Sequence, residues 1–348
     1  MLKLTVSERT FHFKVPAGTS RGVYTTRHSW MVTATDPDDP GAVGVGECAP
    51  LPQLSCDDLP DYGDVLREMC RMVERRGDID HGLLLPYPSM RFGLETALLR
   101  QQAASDIIFD TPFTRGEVGI PINGLVWMGD YHEMLERMEE KMEKGFRCVK
   151  LKIGAIDFDS EIDLMRRIRQ RFSSEYIQLR LDANGAFETA EALGKLQRLA
   201  AFDIHSIEQP IRQGQWNEMA DVCARSPIPI ALDEELIGVN ITQMKEDLLD
   251  VIKPAYIILK PSLHGGMAGT SEWVALAEKR GIGSWMTSAL ESNVGLSAIA
   301  QLAAHIYGCP APMPQGLGTG QLFTDNVDAP LEVVGDELYY RRKAHDTV

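Results

Sequence analysis

The sequence predicts an α/β protein in which a closed β/α barrel follows an α+β domain. From residue 111 to the low 300s, strand and helix patterns alternate seven times, and parallel strands need such crossover helices. Seven units in about 200 residues favour a closed barrel, with an open doubly wound sheet as the alternative. A third observation concerns function, because five of these strands end in an ionisable residue at the same phase.

The composition is that of an ordinary globular protein and narrows the range of partners. The chain has 348 residues, of which 44% are hydrophobic and 24% charged, and no apolar run is long enough to span a membrane. A net charge of −15 argues against nucleic acid and anionic membrane surfaces as partners, but a local cluster of cations can still hold a small anionic substrate. Nothing in the sequence fixes an oligomeric state.

The start of the chain and the cysteines both predict a cytoplasmic protein. The first residues alternate like a strand and lack the apolar core of a signal peptide. The six cysteines are scattered and form no C-x-x-C motif, which is typical of free thiols in a reducing compartment.

The first domain is predicted to occupy residues 1–110. Its strand patterns lie at 2–6, 10–14, 24–35 and 43–47. Helical patterns follow at 57–76 and 89–104, and Ser89 is a candidate N-cap for the second helix. The small, Gly-rich segment 16–22 carries Arg21 and fits either a mobile loop over a site or a plain hairpin loop.

The second domain is predicted at residues 111–325, and residues 326–348 are expected to return to the first domain through a strand at 331–340. The seven strand patterns lie at 120–126, 149–153, 177–182, 204–208, 228–233, 255–260 and 282–287. The helical patterns lie at 131–144, 159–172, 188–201, 216–224, 241–249, 267–280 and 294–306. Because the carboxyl ends of barrel strands surround one mouth, the residues that end these strands are expected to share one cavity.

The strand at 149–153 carries two lysines on one face, which is unusual for a strand in a packed core. Apolar residues form its other face, and Lys150 and Lys152 are one pleat apart. Two like charges so close weaken each other's charged form, so such a lysine can serve as a base. In isolation this pattern would favour a solvated edge strand, and the residues that follow argue against that interpretation.

Three acids and a further lysine end the strands that follow. Counting from Lys152, the residues Asp182, Glu208, Asp233 and Lys260 come at intervals of 30, 26, 25 and 27 residues. Three converging carboxylates would repel one another, and a hard divalent cation with oxygen ligands, Mg²⁺ better than Zn²⁺, would relieve that repulsion. A metal so held can take a substrate carboxylate and stabilise the enediolate formed when an α-proton leaves, with a lysine on either side.

At these residues the chain resembles the enolase superfamily, in its muconate-lactonising subgroup, over essentially its whole length. The pair Lys150 and Lys152 matches the subgroup's K-x-K motif. The resemblance implies a modified TIM barrel, (β/α)7β, with an N-terminal α+β capping domain that is completed by the C-terminal tail. It also implies Mg²⁺, with Mn²⁺ as a substitute, bound by Asp182, Glu208 and Asp233.

Four further stretches narrow the resemblance within the subgroup: 16–22, 46–52, 122–127 and 288–295. They are most similar to the members that dehydrate 2-succinyl-6-hydroxy-2,4-cyclohexadiene-1-carboxylate to 2-succinylbenzoate, a lyase reaction of menaquinone biosynthesis. That resemblance implies that Lys152 removes the α-proton and then helps the hydroxyl group to leave. It implies that Lys260 stays cationic and stabilises the enediolate.

The resemblance also supplies candidates for supporting roles. Lys150 and Glu234 are expected to support the catalytic lysine and to orient the site. The candidates for substrate binding are Arg180, Ser288, Glu291, Gly316 and Arg21.

Three alternatives stay open at this stage. The same two lysines would suit an N-succinylamino acid racemase or another enzyme of the subgroup. A Schiff-base aldolase could also present a lysine in a barrel, although it would not need three converging acids. A metal-binding scaffold without a reaction is the third alternative, and the complete set of two lysines and three acids argues against it.

Overall fold

The capping domain is an antiparallel sheet covered by two helices. The computed structural model describes residues 2–19, 22–127 and 129–341 of the chain. The sheet has the order β1–β2–β3, formed by Lys3–Thr19, Gly22–Asp36 and Asp39–Cys48. Helices α1, Tyr62–Arg76, and α2, Pro88–Ala103, pack against it around a separate apolar cluster. This domain confirms the predicted α+β cap.

Two local predictions differ from the structure of this domain. The predicted strands at 2–6 and 10–14 are one strand, β1, which continues to Thr19 after a register shift between His12 and Ala17. The described residues of the segment 16–22, namely 16–19 and 22, extend a hairpin, and Arg21 lies outside the described residues. Ser89 is not the N-cap of α2, because Pro88 occupies the first helical position and the Ser89 hydroxyl donates to Asp57 Oδ2 at 2.6 Å.

All seven predicted barrel strands are present as one parallel sheet in the described part of the chain. The strands are β5 Gly124–Val126, β6 Cys148–Lys152, β7 Gln178–Asp182, β8 Ile204–Glu208, β9 Ile230–Leu232, β10 Tyr256–Leu259 and β11 Gly283–Met286. A two-residue strand, β4, Ile120–Pro121, precedes them. Their order in the sheet follows the chain from β5 to β11 without interruption, as in a β/α barrel.

The crossover helices form the outer layer, as their apolar faces predict. They are α3 Tyr131–Glu143, α4 Phe158–Arg171, α5 Thr189–Leu199, α6 Trp216–Arg225, α7 Thr242–Ile252, α8 Gly266–Glu278 and α9 Asn293–Tyr307. Outward-facing strand residues such as Leu151, Leu181 and Ile207 are buried between the sheet and these helices in the largest apolar cluster. The inward-facing positions are thereby left for the polar residues of the mouth. Among the described residues, no helix is long and apolar enough to cross a membrane.

Residues 315 and 316 close the barrel. Gln315 forms a parallel bridge with Ile122 beside the first strand, and Gly316 forms one with Thr287 beside the last. The Gly316 amide donates to the Met286 carbonyl at 2.7 Å. This short link takes the place of an eighth strand and confirms the predicted modified barrel of seven full units.

The C-terminal strands pair with a different partner from the one predicted. The strands β12, Leu331–Val334, and β13, Glu337–Tyr340, form a hairpin whose second strand pairs with β4 at the entrance to the barrel. Leu338 and Tyr340 are buried in the barrel cluster, which explains this choice. The chain meets the capping sheet just before the tail, where Phe323 forms a bridge with Phe13 of β1.

Candidate active site

Five of the residues predicted from strand ends lie around one mouth. In the parallel register, Lys152 is paired with Asp182, and Asp182 with Glu208, so these three side chains stand at one level of adjacent strands. Asp233 and Lys260 directly follow β9 and β10. Because β7, β8 and β9 lie between β6 and β10, the three acids separate the two lysines Lys152 and Lys260 around the ring.

The lysines are paired with the acids. Lys150 Nζ lies 2.8 Å from Asp182 Oδ2 and 2.6 Å from Glu208 Oε2. Lys152 Nζ lies 3.0 Å from the same Asp182 oxygen. Lys260 forms an ion pair with Asp233. All three acids are almost completely buried, so each charge depends on these partners rather than on water.

These pairings change the role expected for Lys150. Burial disfavours its charge, but the Asp182 and Glu208 carboxylates outweigh burial and raise the pKa of Lys150 above its usual range. Burial likewise opposes the charge on Asp182, and the two neighbouring ammonium groups lower the pKa of that carboxyl. The positive charge of Lys150 is therefore balanced by two carboxylates. This differs from the prediction, in which Lys150 and Lys152 weaken each other's charged form.

The residues at the mouth fit a divalent cation by their chemistry. Three of the buried carboxylate oxygens that have no hydrogen-bond partner lie at this mouth: Glu208 Oε1, Asp233 Oδ1 and Glu234 Oε2. Buried anionic oxygens without partners are costly unless a cation or donor meets them. As arranged, with ammonium groups against the acids, no three Asp, Glu, His or Cys residues of the described chain converge on a metal-binding point. An all-oxygen set of acids is nevertheless the type that a hard cation prefers.

A cavity of about 170 Å³ opens above these side chains, between the two domains. Its charged wall is formed by Lys152, Asp182, Asp233, Glu234 and Lys260. Its other residues are largely apolar and include Tyr24, Leu51 and Leu54 of the capping domain together with Trp127, Leu290 and Leu322. The cavity thus combines a charged wall with an apolar wall, which suits a carboxylate substrate that has a hydrocarbon ring.

Two of the predicted substrate-binding residues reach this cavity. Ser288 Oγ lies 2.6 Å from Thr319 Oγ1, and the Ser288 amide donates to the Gly316 carbonyl at 3.2 Å. Gly316 lines the cavity beside Ser288. A Cβ atom at Gly316 would lie 2.3 Å from Thr287 Oγ1, so the close approach of these strands requires glycine.

The other substrate-binding candidates are placed elsewhere. Arg180 does not line the cavity, because it lies one pleat below Asp182, stacked 4.1 Å from the Trp285 ring and donating to the Pro314 carbonyl. Glu291 also points away from the cavity: it accepts from Ser262 Oγ and, at 2.6 Å, from the Ala289 amide. Arg21 lies outside the described residues.

Sequence reasoning assigned no role to two residues that bond the lysine residues. Asn184 Oδ1 accepts from Lys152 Nζ at 2.7 Å, and Asn184 Nδ2 donates to Glu234 Oε1 at 2.9 Å. Its place two residues after Asp182 was a signal that could have found it. His264 is fully buried, and its Nδ1 accepts from the Lys260 amide at 2.9 Å. No pattern in the sequence marks that contact.

Comparison with known proteins supports the same fold. A model of the family described as enolase C-terminal domain-like matches residues 133–338. The chain is 46% identical to an o-succinylbenzoate synthase from Desulfotalea psychrophila, over 97% of this chain and 98% of that protein. The crystal structure of MenC from Desulfotalea psychrophila superposes with a TM-score of 0.83 and 42% identity, covering 97% of this chain and 99% of that one.

A relative with a different activity matches a smaller part of the chain. An N-succinylamino acid racemase from Thermus thermophilus is 31% identical over 49% of this chain and 44% of that protein. The alternative activity considered from the sequence therefore has a relative, but one whose likeness covers about half of each chain.

Proposed function

This chain belongs to the enolase C-terminal domain-like family, and from that premise we propose that it is an o-succinylbenzoate synthase, a lyase of menaquinone biosynthesis. The observation that carries the proposal is the likeness to the Desulfotalea psychrophila enzyme, which extends over nearly the full length of both chains. The site adds support, because its charged wall and apolar wall suit a cyclohexadiene carboxylate.

The proposed reaction removes water from 2-succinyl-6-hydroxy-2,4-cyclohexadiene-1-carboxylate. Lys152, as the base, takes the proton from the carbon that bears the carboxylate. The electron pair left behind forms a ring double bond as the hydroxyl group leaves, and the Lys152 ammonium returns its proton so that water departs. The product, 2-succinylbenzoate, is aromatic. Lys260 remains cationic throughout and faces the opposite side of the ring.

We propose that the divalent metal is Mg²⁺, with Mn²⁺ able to replace it, and that Asp182, Glu208 and Asp233 would hold it. The unpartnered oxygens of Glu208 and Asp233 support this choice. The ion supplies positive charge that lowers the free energy of the extra charge developing on the substrate carboxylate. Asn184 orients Lys152 through one hydrogen bond, and Glu234 holds Asn184 through another.

The chemistry of the chain also supports a compartment and a class of partner. All six cysteines are free thiols, which fits a reducing cytoplasm. The proposed partner is a small dicarboxylate substrate, and the net charge of −15 argues against nucleic acid and anionic lipid.

The test is a direct assay with the cyclohexadiene substrate and Mg²⁺, following the ultraviolet absorbance of the aromatic product. We expect product to form and its formation to stop when EDTA is added. No product in the presence of Mg²⁺ would overturn the proposal. Incubation with an N-succinylamino acid in D₂O then distinguishes the racemase, which would incorporate deuterium at the α-carbon. Reductive trapping with borohydride distinguishes the aldolase.

A further inference from the structure

One wall of the cavity is an irregular loop with a strained backbone. Residues 288–291 follow β11, and Ser288, Ala289 and Leu290 line the cavity. Leu290 has φ of +63°, a left-handed conformation that is unfavourable for a residue with a bulky side chain. Such a conformation persists only where surrounding contacts impose it, so the contacts that hold this loop are of interest.

Arg27 of β2 provides one set of these contacts from the capping domain. The residue is only 2% exposed, and its guanidinium bonds segments of both domains. Nε donates to the Leu290 carbonyl at 3.2 Å, and Nη2 donates to the Ala289 carbonyl at 3.4 Å. Nη2 also donates to the Ala49 carbonyl, and Nη1 donates to the carbonyls of Pro50 and His28; Ala49 and Pro50 come just before the cavity-lining Leu51. One planar group thus fixes both sides of the cavity wall.

Glu47 of β3 provides a second set of contacts beside the first. Its carboxylate is fully buried, and Oε1 accepts from the Ser29 hydroxyl at 2.8 Å and from the Ser292 amide at 3.0 Å. Oε2 accepts from the Ser292 hydroxyl at 2.6 Å and the Gly295 amide at 3.0 Å. Ser292 caps α9 and directly follows the loop, so Glu47 fixes the far end of residues 288–291.

We infer that Arg27 and Glu47 are positioning residues that hold residues 288–291, and with them Ser288, in the conformation that binds substrate. Neither residue lines the cavity, so each acts through the loop. The inference rests on the proposed function for the identity of the substrate. It assigns to the capping domain a role in substrate affinity that its own cavity-lining residues do not explain.

The geometry predicts which substitutions separate positioning from folding. In Arg27→Lys the charge is kept, but an ammonium cannot bond carbonyl groups on both sides of the wall as the planar guanidinium does. In Glu47→Gln the size is kept, but the amide group meets donors at positions where a carboxylate oxygen accepted. Both variants should release the loop while leaving the metal ligands and both lysines in place.

A matched control is available in the same domain. Glu95 of α2 is also buried, and it accepts from the Met267 amide at the start of α8 and from Arg91 at 2.9 Å. It therefore docks the capping domain onto a barrel helix as Glu47 does. Its contact in the barrel, Met267, is not part of the 288–291 loop or next to it in the sequence. Glu95→Gln should weaken domain docking without releasing the wall.

The experiment combines steady-state kinetics with hydrogen exchange on the full-length chain. We expect Arg27→Lys and Glu47→Gln to raise KM for the cyclohexadiene substrate about tenfold, with kcat within about threefold of the parent chain. Amides of residues 288–292 should exchange about tenfold faster in both variants, and Mg²⁺ affinity measured by titration should not change. Glu95→Gln should leave KM and the exchange of this segment unchanged.

Each failure has a distinct meaning. If the parent chain forms no 2-succinylbenzoate, the proposed function fails, while hydrogen exchange still tests the hold on the loop. If the parent chain is active but exchange at 288–292 is unchanged in both variants, the inference is overturned. It is also overturned if Glu95→Gln raises KM as much as Glu47→Gln, because the effect would then come from domain docking in general. If one variant does not fold, the other carries the test.

Discussion

The two walls of the cavity are built in different ways. The charged wall consists of side chains that end consecutive strands of one parallel sheet, such as Lys152, Asp182 and Asp233. The apolar wall includes residues 288–290 of the loop after β11, the closing residue Gly316 and residues 51 and 54 of another domain. A repeating scaffold thus carries the chemistry, whereas contacts between distant parts of the chain shape the space for substrate. The difference suggests that the two walls respond differently to mutation.

The largest effect should come from the charged wall. We expect Lys152→Ala to lower kcat by about 10⁴-fold, because the base that takes the α-proton is lost. Mg²⁺ affinity should remain, since the carboxylates of the three acids are unchanged. Turnover and calorimetric titration of Mg²⁺ check these two outcomes. Lys195→Ala is the control, because Lys195 lies on α5 and pairs with Glu191. Near-normal turnover of Lys152→Ala would contradict the assignment.

Loss of a metal ligand should have the next largest effect. We expect Asp233→Asn to weaken Mg²⁺ affinity by at least about a hundredfold, because a neutral amide replaces a buried anion. Added Mg²⁺ should restore part of the activity. Asp221→Asn is the matched control, since Asp221 pairs with Arg225 on an exposed helix face. Equal Mg²⁺ titrations for the two variants would remove Asp233 from the metal site.

The apolar wall should show smaller effects, confined to binding. We expect Ser288→Ala to raise KM about tenfold with little change in kcat, since one hydrogen bond to a charged group is lost. Ser284→Ala is the control, because Ser284 lies at the opposite end of β11 and contacts Tyr307 at 2.9 Å. A fall in kcat with unchanged KM would instead indicate that Ser288 takes part in the chemical step.

The core of the capping domain should affect stability alone. Leu66 is fully buried in the cluster between α1 and the sheet, away from the cavity. We expect Leu66→Ala to lower the free energy of unfolding by about 3 kcal/mol while kcat of the folded enzyme stays unchanged. Denaturant unfolding measures this, with Leu83→Ala as the control because Leu83 is 38% exposed. A change in kcat would mean that the cap takes part in the chemistry.

The parts of the fold that follow a local period could be predicted from the sequence. Alternation located every barrel strand, and the predicted strand at 204–208 coincides with β8, Ile204–Glu208. The regular spacing of strand ends brought Lys152, Asp182 and Asp233 to one cavity, because each β/α unit repeats the same rise and turn. Their roles as catalyst and metal ligands remain predictions until the variants are measured.

The parts that depend on distant contacts could not be predicted. Alternation identified strand structure at 331–340 but not its partner β4, because an alternating pattern does not specify which strand will pair with it. Arg180 has the same phase as Asp182, yet one pleat of depth removes it from the cavity. Glu291 lies in a loop, where no period tells which way a side chain points. Arg27 and Glu47 act on residues more than 240 positions away along the chain.

The closing link at residues 315 and 316 has a consequence for how the molecule is made. The bridges of Gln315 to Ile122 and of Gly316 to Thr287 join the two ends of the strand series, and Phe323 then meets Phe13. None of these contacts can form until residues 315 and 316 have been made, after all seven barrel strands. Until then the strands present an open sheet edge that chaperones or other nascent chains can reach.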